Sequence, residues 1–173
     1  MSQVCLLDSE RLSALLRDAL SWSDHVSSLT VSALNGSILA YAYRNATPSI
    51  KDIRTQSTTM TAAYTVASED VLVFEAQNMG AISVVTPIAD HILLAVTGPE
   101  PMKQKTPSPK TAGDEEQEHA TNGNEVEEQD RERAEAESEH EHEQVRTDIE
   151  AVSQGLATVL REELAKLKWP EDI

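Results

Sequence analysis

The densest group of side chains able to do chemistry is Glu139-His140-Glu141-His142-Glu143, where carboxylate and imidazole alternate. Such a run would hold a divalent metal only loosely, because a site that must order itself on binding loses affinity to that ordering. The reading is therefore solvated chain and no metal. The other histidines, His25, His91 and His119, stand far apart, and so do Asp8, Asp18, Asp52, Glu69 and Asp90. Each carboxylate is more simply a cap or a surface charge, and no spacing selects a general acid and base. Cys5 is the single cysteine, which excludes an internal disulfide or a cysteine metal site and suits a reducing, intracellular compartment. Neither G-x-x-x-x-G-K-[ST] nor G-x-G-x-x-G occurs, and the six glycines are spread singly, so no nucleotide cradle is expected. No catalytic constellation and no cofactor site emerges.

The net charge is −16, and most of the excess lies in one stretch. That balance argues against nucleic acid, whose phosphates need a basic face. Apolar residues make up 39% of the chain and lie almost entirely before Gly98 and after Gln144. Between them comes a Pro/Lys/Thr/Ser stretch, then an acidic run with few large apolar residues. Residues 99–144 cannot bury enough surface to offset their ordering entropy, so they are expected to be disordered, with transient helix over 127–143. On composition this insertion is a solvated spacer; docking to a basic partner, or phosphorylation at Thr106 or Ser108, each followed by proline, is the alternative. The N-terminus lacks a secretory pattern, begins Met-Ser rather than Met-Gly, and no apolar run approaches ~20 residues. A membrane location is expected only through a partner.

The elements that could position a working surface follow from periodicity. Asp8 or Ser9 can cap a first helix, on which Leu12, Leu15, Leu16, Ala19 and Leu20 form an apolar stripe. Leu29, Val31 and Ala33 alternate with Ser28, Thr30 and Ser32, the pattern of a half-buried strand. Asn35-Gly36 then signals a hairpin into a return strand over 38–43. Thr47-Pro48 reads as a cap followed by proline at the first helical position. The second helix carries Ile50, Ile53, Met60, Tyr64 and Ala67 on one face, interrupted by Ser57. Residues 71–76 form a third strand. Two β-rich runs, 81–86 and 91–97, are expected to join through Pro87-Ile88-Ala89-Asp90. Val145, Ile149, Val152, Leu156, Val159, Leu160, Leu164 and Leu167 give a closing amphipathic helix that ends at Trp169-Pro170.

Short joins make the sheet largely antiparallel. The economical architecture is one five-stranded sheet, with the first and last helices on one face and the second on the other. The domain divides into a core over 1–98, the insertion over 99–144, and a helix over 145–169 that completes the core. The second helix also carries Thr55, Thr59, Ala62 and Val66 on a separate strip, all small or β-branched and none charged. The plain reading is an ordinary solvated strip. The sharper reading is a surface for close approach of another helix.

The order of elements resembles the Roadblock/dynein light chain family, a profilin-like α/β (α+β) sandwich. The run Asn-Gly-Ser-Ile-Leu-Ala-Tyr at 35–41 resembles that family's first hairpin, Met-Thr-Ala-Ala-Tyr at 60–64 the end of its central helix, and 80–98 its last hairpin. Within the family the resemblance is strongest to the small subunits of Ragulator (fungal EGO) assemblies. It implies a non-enzymatic scaffold that supports Rag-type small GTPases and TOR complex 1 signalling. The site would be the cytoplasmic face of the late endosomal, lysosomal or vacuolar membrane, reached through a lipidated partner subunit. It further implies pairing with another roadblock-domain subunit through the second helix and third strand. The candidate interface residues are then Thr55, Thr59, Ala62, Val66, Val71, Val73 and Glu75. Any contribution to guanine-nucleotide exchange would belong to the whole complex. A dynein-type light chain adaptor and a small-ligand sensor are the competing functions; the apolar strands suit packing better than a ligand pocket.

Overall fold

The computed structural model describes residues 9–67, 70–75, 81–99 and 124–166. Helix α1 spans Ser9–Ala19 and runs into a 3-10 turn at Leu20–Trp22. Strands β1 (Ser28–Ala33) and β2 (Ile38–Tyr43) form the first hairpin. Helix α2 (Ile50–Ala67) leads to β3 (Leu72–Glu75), β4 (Ile82–Ala89) and β5 (Ile92–Thr97), and α3 covers Asn124–Ala165. Every pairing is antiparallel, and the five strands lie in the order β2-β1-β5-β4-β3. The expected five-stranded α+β sandwich is what forms.

The stripe on α1 closes as expected, with Leu12, Leu16, Ala19 and Leu20 buried. They join Leu29, Val31, Leu94 and Val96 of the sheet and Ile149, Leu156 and Leu160 of α3 in one large apolar cluster. The other face carries a small cluster of Met60, Val85, Leu93 and Ala95 beneath α2. Alternation assigns the faces, because successive strand residues point to opposite sides. Thus α1 and α3 cover one face and α2 the other.

Several local readings change. Strand β1 is buried nearly throughout rather than half-buried, because it lies between β2 and β5 with helices on both sides. Its hydroxyl residues Ser28, Thr30 and Ser32 face α2, not solvent. The cap of α2 is Ser49, not Thr47: the Asp52 amide donates to Ser49 Oγ at 3.2 Å, and that hydroxyl donates to Asp52 Oδ2 at 2.6 Å. The Ser49 hydroxyl thereby satisfies an amide that the first turn leaves open.

The last hairpin turns later than expected. Pro87, Ile88 and Ala89 belong to β4, and the turn is Asp90-His91, with His91 at φ 62°. Pro87 lies beyond Val85, the last residue of β4 paired to β3, so its missing N–H leaves no ladder bond unmade. Its carbonyl accepts from Arg161 Nη2 at 2.7 Å. Ile50 was expected on the packed stripe and is 54% exposed, at the first turn of α2 beside the edge of β2. Ser57, read as an interruption, is buried and donates to the Gly36 carbonyl at 3.2 Å. The Asn35-Gly36 turn, with Gly36 at φ 83°, is thereby fixed against α2.

Helix α3 starts at Asn124, inside the acidic stretch, and is 42 residues long. Glu, Ala, Gln and Arg are strong helix formers, and Arg133 pairs with Glu137 one turn on. The position 144/145 marks a change of burial rather than of backbone. The described side chains before it are exposed, and burial begins at Val145 and Ile149. Residues 100–123, Leu167 and Trp169-Pro170 lie outside the described residues. Where α3 meets the body, His25 Nδ1 lies 2.6 Å from Asp148 Oδ2. Thr86 and Ser153 share a buried hydroxyl–hydroxyl bond of 2.8 Å. Arg44 holds the chain between α1 and β1, donating to the carbonyls of Leu20, Ser23 and Val26.

Candidate partner-binding surface

The strip Thr55, Thr59, Ala62 and Val66 is exposed along its whole length, and Thr55 and Thr59 also border a cleft between α2 and the sheet. Its threonines are less polar than their type suggests. Thr55 Oγ1 donates to the Lys51 carbonyl at 3.0 Å, and Thr59 Oγ1 to the Thr55 carbonyl at 2.9 Å. Hydroxyls turned back onto the preceding turn leave the methyl groups to face outward. With Ala62 and Val66 they make an apolar, uncharged surface of low relief. Val66 is 84% exposed, the highest value among the large apolar residues described.

Among the described residues strand β3 is an edge strand, bonded only to β4. The Gly98 amide donates to the Ile82 carbonyl at 2.8 Å, which fixes the alternation along β4. Ile82 and Val84 bond toward β5, and Ser83 and Val85 bond toward β3, to Phe74 and Leu72. Val73 and Glu75 therefore turn their backbone groups outward, the unpaired row that invites another strand.

The side chains divide differently. Leu72 packs beneath α2, whereas Val73 packs on the α1/α3 side. The Val73 side chain thus lies on the face of the sheet opposite to α2. Val71 is 43% exposed just before the strand. The side chain of Glu75 lies outside the described residues. Leu72, the β3 side chain that does face α2, was absent from the expected set; the strand's period of two carries that signal.

Between α2 and the sheet lies a cleft of about 690 Å³, lined by Ser28, Tyr43, Gln56, Met60, Ser83 and Thr97 among others. The strands present hydroxyls here, where the sequence suggested Leu, Val, Ile and Ala. Ser83 and Thr97 bond to each other at 3.1 Å, and among the described residues no buried side-chain polar atom lacks a partner. Tyr43 donates to Gln56 Oε1 at 3.3 Å. Burial pushes its phenol above the usual value, against a hydrogen bond to Thr30 that lowers it.

The metal-capable run 139–143 lies on the exposed part of α3. Successive helical residues point about 100° apart, so its five side chains cannot converge. Among the described residues no group of three His, Cys, Asp or Glu side chains is placed to hold a metal. No described helix is long and apolar enough to cross a membrane. Thr106 and Ser108 fall outside the described residues.

Several solved structures resemble this arrangement. A Roadblock/LC7 domain from Streptomyces avermitilis matches at 11% identity and TM-score 0.44, over 51% of this chain and 78% of that one. The gliding protein MglB from Thermus thermophilus matches at 16% identity and TM-score 0.44, over 58% and 77%. MglB from Myxococcus xanthus matches at 12% identity and TM-score 0.41, over 57% and 74%. No family model matches the sequence, and no curated protein does either.

Proposed function

We propose that this chain is a non-enzymatic scaffold subunit that pairs with another roadblock-type subunit through α2 and β3. The observation that carries the reading is the uncharged, methyl-bearing strip exposed on α2, in a fold that also leaves the outer edge of β3 open among the described residues. A helix face of small residues permits close packing, and a second β3 would satisfy the outward groups of Val73 and Glu75. In the finer form of the reading the assembly is of Ragulator/EGO type. It supports Rag-type small GTPases and TOR complex 1 signalling at the cytoplasmic face of the late endosomal, lysosomal or vacuolar membrane. Contact with the membrane is made by a lipidated partner subunit.

Val66→Asp tests the pairing. At 84% exposure the residue supports little of the monomer, so its replacement should change stability by less than about 0.5 kcal/mol. In the pair it would bury an unpaired charge and release the partner. Affinity purification of the wild-type chain should recover a second roadblock subunit and Rag-type GTPases, and the variant should lose them. Recovery at wild-type stoichiometry with Val66→Asp would sink the interface. Recovery of a dynein intermediate chain instead would assign the chain to the motor.

A further inference from the structure

The opposite edge of the sheet is built for a different guest. Among the described residues strand β2 bonds only to β1. The Arg44 amide donates to the Ser27 carbonyl at 2.9 Å, which fixes the alternation along this pair. Ala42 and Ala40 turn their backbone groups to β1, and Tyr41 and Tyr43 turn theirs outward. The edge lies in a groove of about 770 Å³, walled by α1 through Ser13 and Arg17 and by α2 through Ile50 and Arg54. Two exposed apolar side chains, Ile50 at 54% and Tyr41 at 37%, belong to it. Among the described residues neither Arg17 nor Arg54 enters an ion pair.

Helix α1 covers one face of the sheet and α2 the other. The two guanidinium groups therefore flank the β2 edge from opposite faces. An added strand would present successive side chains alternately to those faces. One carboxylate would meet Arg17 and the next would meet Arg54. The strand backbone would meanwhile satisfy Tyr41 and Tyr43. We infer that the β2 groove receives an extended segment of a partner protein bearing two adjacent acidic residues, added as a sixth strand.

The chain's own negative charge does not oppose this. The acidic part of α3 leaves the body at the other end of the strands, where Val145 and Ile149 meet Gly98. At physiological salt, interactions beyond about 8 Å are largely screened. The site uses the edge that pairing through β3 leaves open, so both can be filled at once.

The test is fluorescence anisotropy of the full chain with a labelled peptide of threonine and valine flanking two central glutamates. Two control peptides carry glutamine in place of both glutamates, or proline beside them. The diglutamate peptide should bind, and Arg17→Gln and Arg54→Gln should each weaken it roughly tenfold, the cost of one charge-assisted hydrogen-bonded pair. Both arginines are on the surface, and circular dichroism verifies that the variants are folded. The glutamine peptide should bind weakly. The proline peptide, which lacks a strand N–H, should not bind. Failure of the diglutamate peptide to bind the wild-type chain overturns the inference. Equal binding of the proline peptide also overturns it, reassigning the groove to plain anion capture. Val66→Asp should keep wild-type peptide affinity; failure at β2 is thereby distinguished from failure of the pairing through β3.

Discussion

The two faces of the sheet are closed by different means. On the α1/α3 face, Leu16, Leu29, Leu94, Ile149, Leu156 and Leu160 are fully buried in a continuous apolar layer. On the α2 face the buried set is small, and Ser28, Thr30, Ser32, Ser83 and Thr97 take the places that aliphatic residues hold opposite. One face supplies the hydrophobic stabilisation. The other holds α2 by a few apolar contacts and by hydroxyl bonds such as Ser57 to Gly36. A helix held that lightly adds little hydrophobic stabilisation, and its outer strip is exposed.

The largest effect is expected from breaking the apolar face. Leu156→Ala removes a side chain that is 1% exposed at the centre of the α3 contact. Deletions of this kind cost about 2–5 kcal/mol, depending on how far the site collapses. Met60→Ala, on the buried side of α2, should fall at the low end of that range, because a flexible thioether beside a cleft leaves less of a sealed void. Urea unfolding of both variants measures the difference. Equal losses would mean that the two faces carry equal weight and that the comparison fails.

Much of this division is legible in the sequence. The apolar stripes of α1 and α3 and the alternation of β1 assign the faces, and Asn35-Gly36 locates its turn. At the cap of α2 one local signal is overruled by another, and at Pro87 and Ile50 by what lies across in space. Thr47-Pro48 offers a good cap, but Ser49 has the carboxylate of Asp52 in reach. Pro87 reads as a turn residue, but β3 stops short of it and Arg161 takes its carbonyl. Ile50 fits the helix period, but the sheet ends before reaching it. Of the candidate surface, the α2 strip is legible from the absence of charge. The opposed facing of Leu72 and Val73 follows from the strand's period of two, but which of them meets α2 follows only from the pairing with β4, and the Arg17–Arg54 groove only from the strand order.

A smaller effect sharpens the account of α2. Ser49→Ala removes the hydroxyl that accepts from the Asp52 amide, and cap losses of this type cost about 1 kcal/mol. Thr47→Ala, at the position the sequence favoured, should leave the stability within about 0.5 kcal/mol of wild type, as surface changes away from such features do. Reversal of the two would return the cap to Thr47 and lengthen the helix at its start.

The smallest effect concerns the hydroxyl-rich face alone. Tyr43 lies at the cleft with its phenol pushed above the ordinary value of 10.0, chiefly by burial. A group whose folded pKa is raised holds its proton more tightly in the folded chain than in the unfolded one. Its contribution is fully present below the unfolded value, falls as pH rises through that value, and is gone above the folded one. Wild type should therefore lose stability from about pH 10 upward more steeply than Tyr43→Phe, which has no phenol to ionise. Phenolate absorbance gives an independent reading, since the signal missing from the variant should titrate above the ordinary tyrosine range. If that signal titrates at the ordinary value, water reaches the phenol freely. The α2 face would then be open at this end, rather than closed by hydroxyl bonds as the comparison requires.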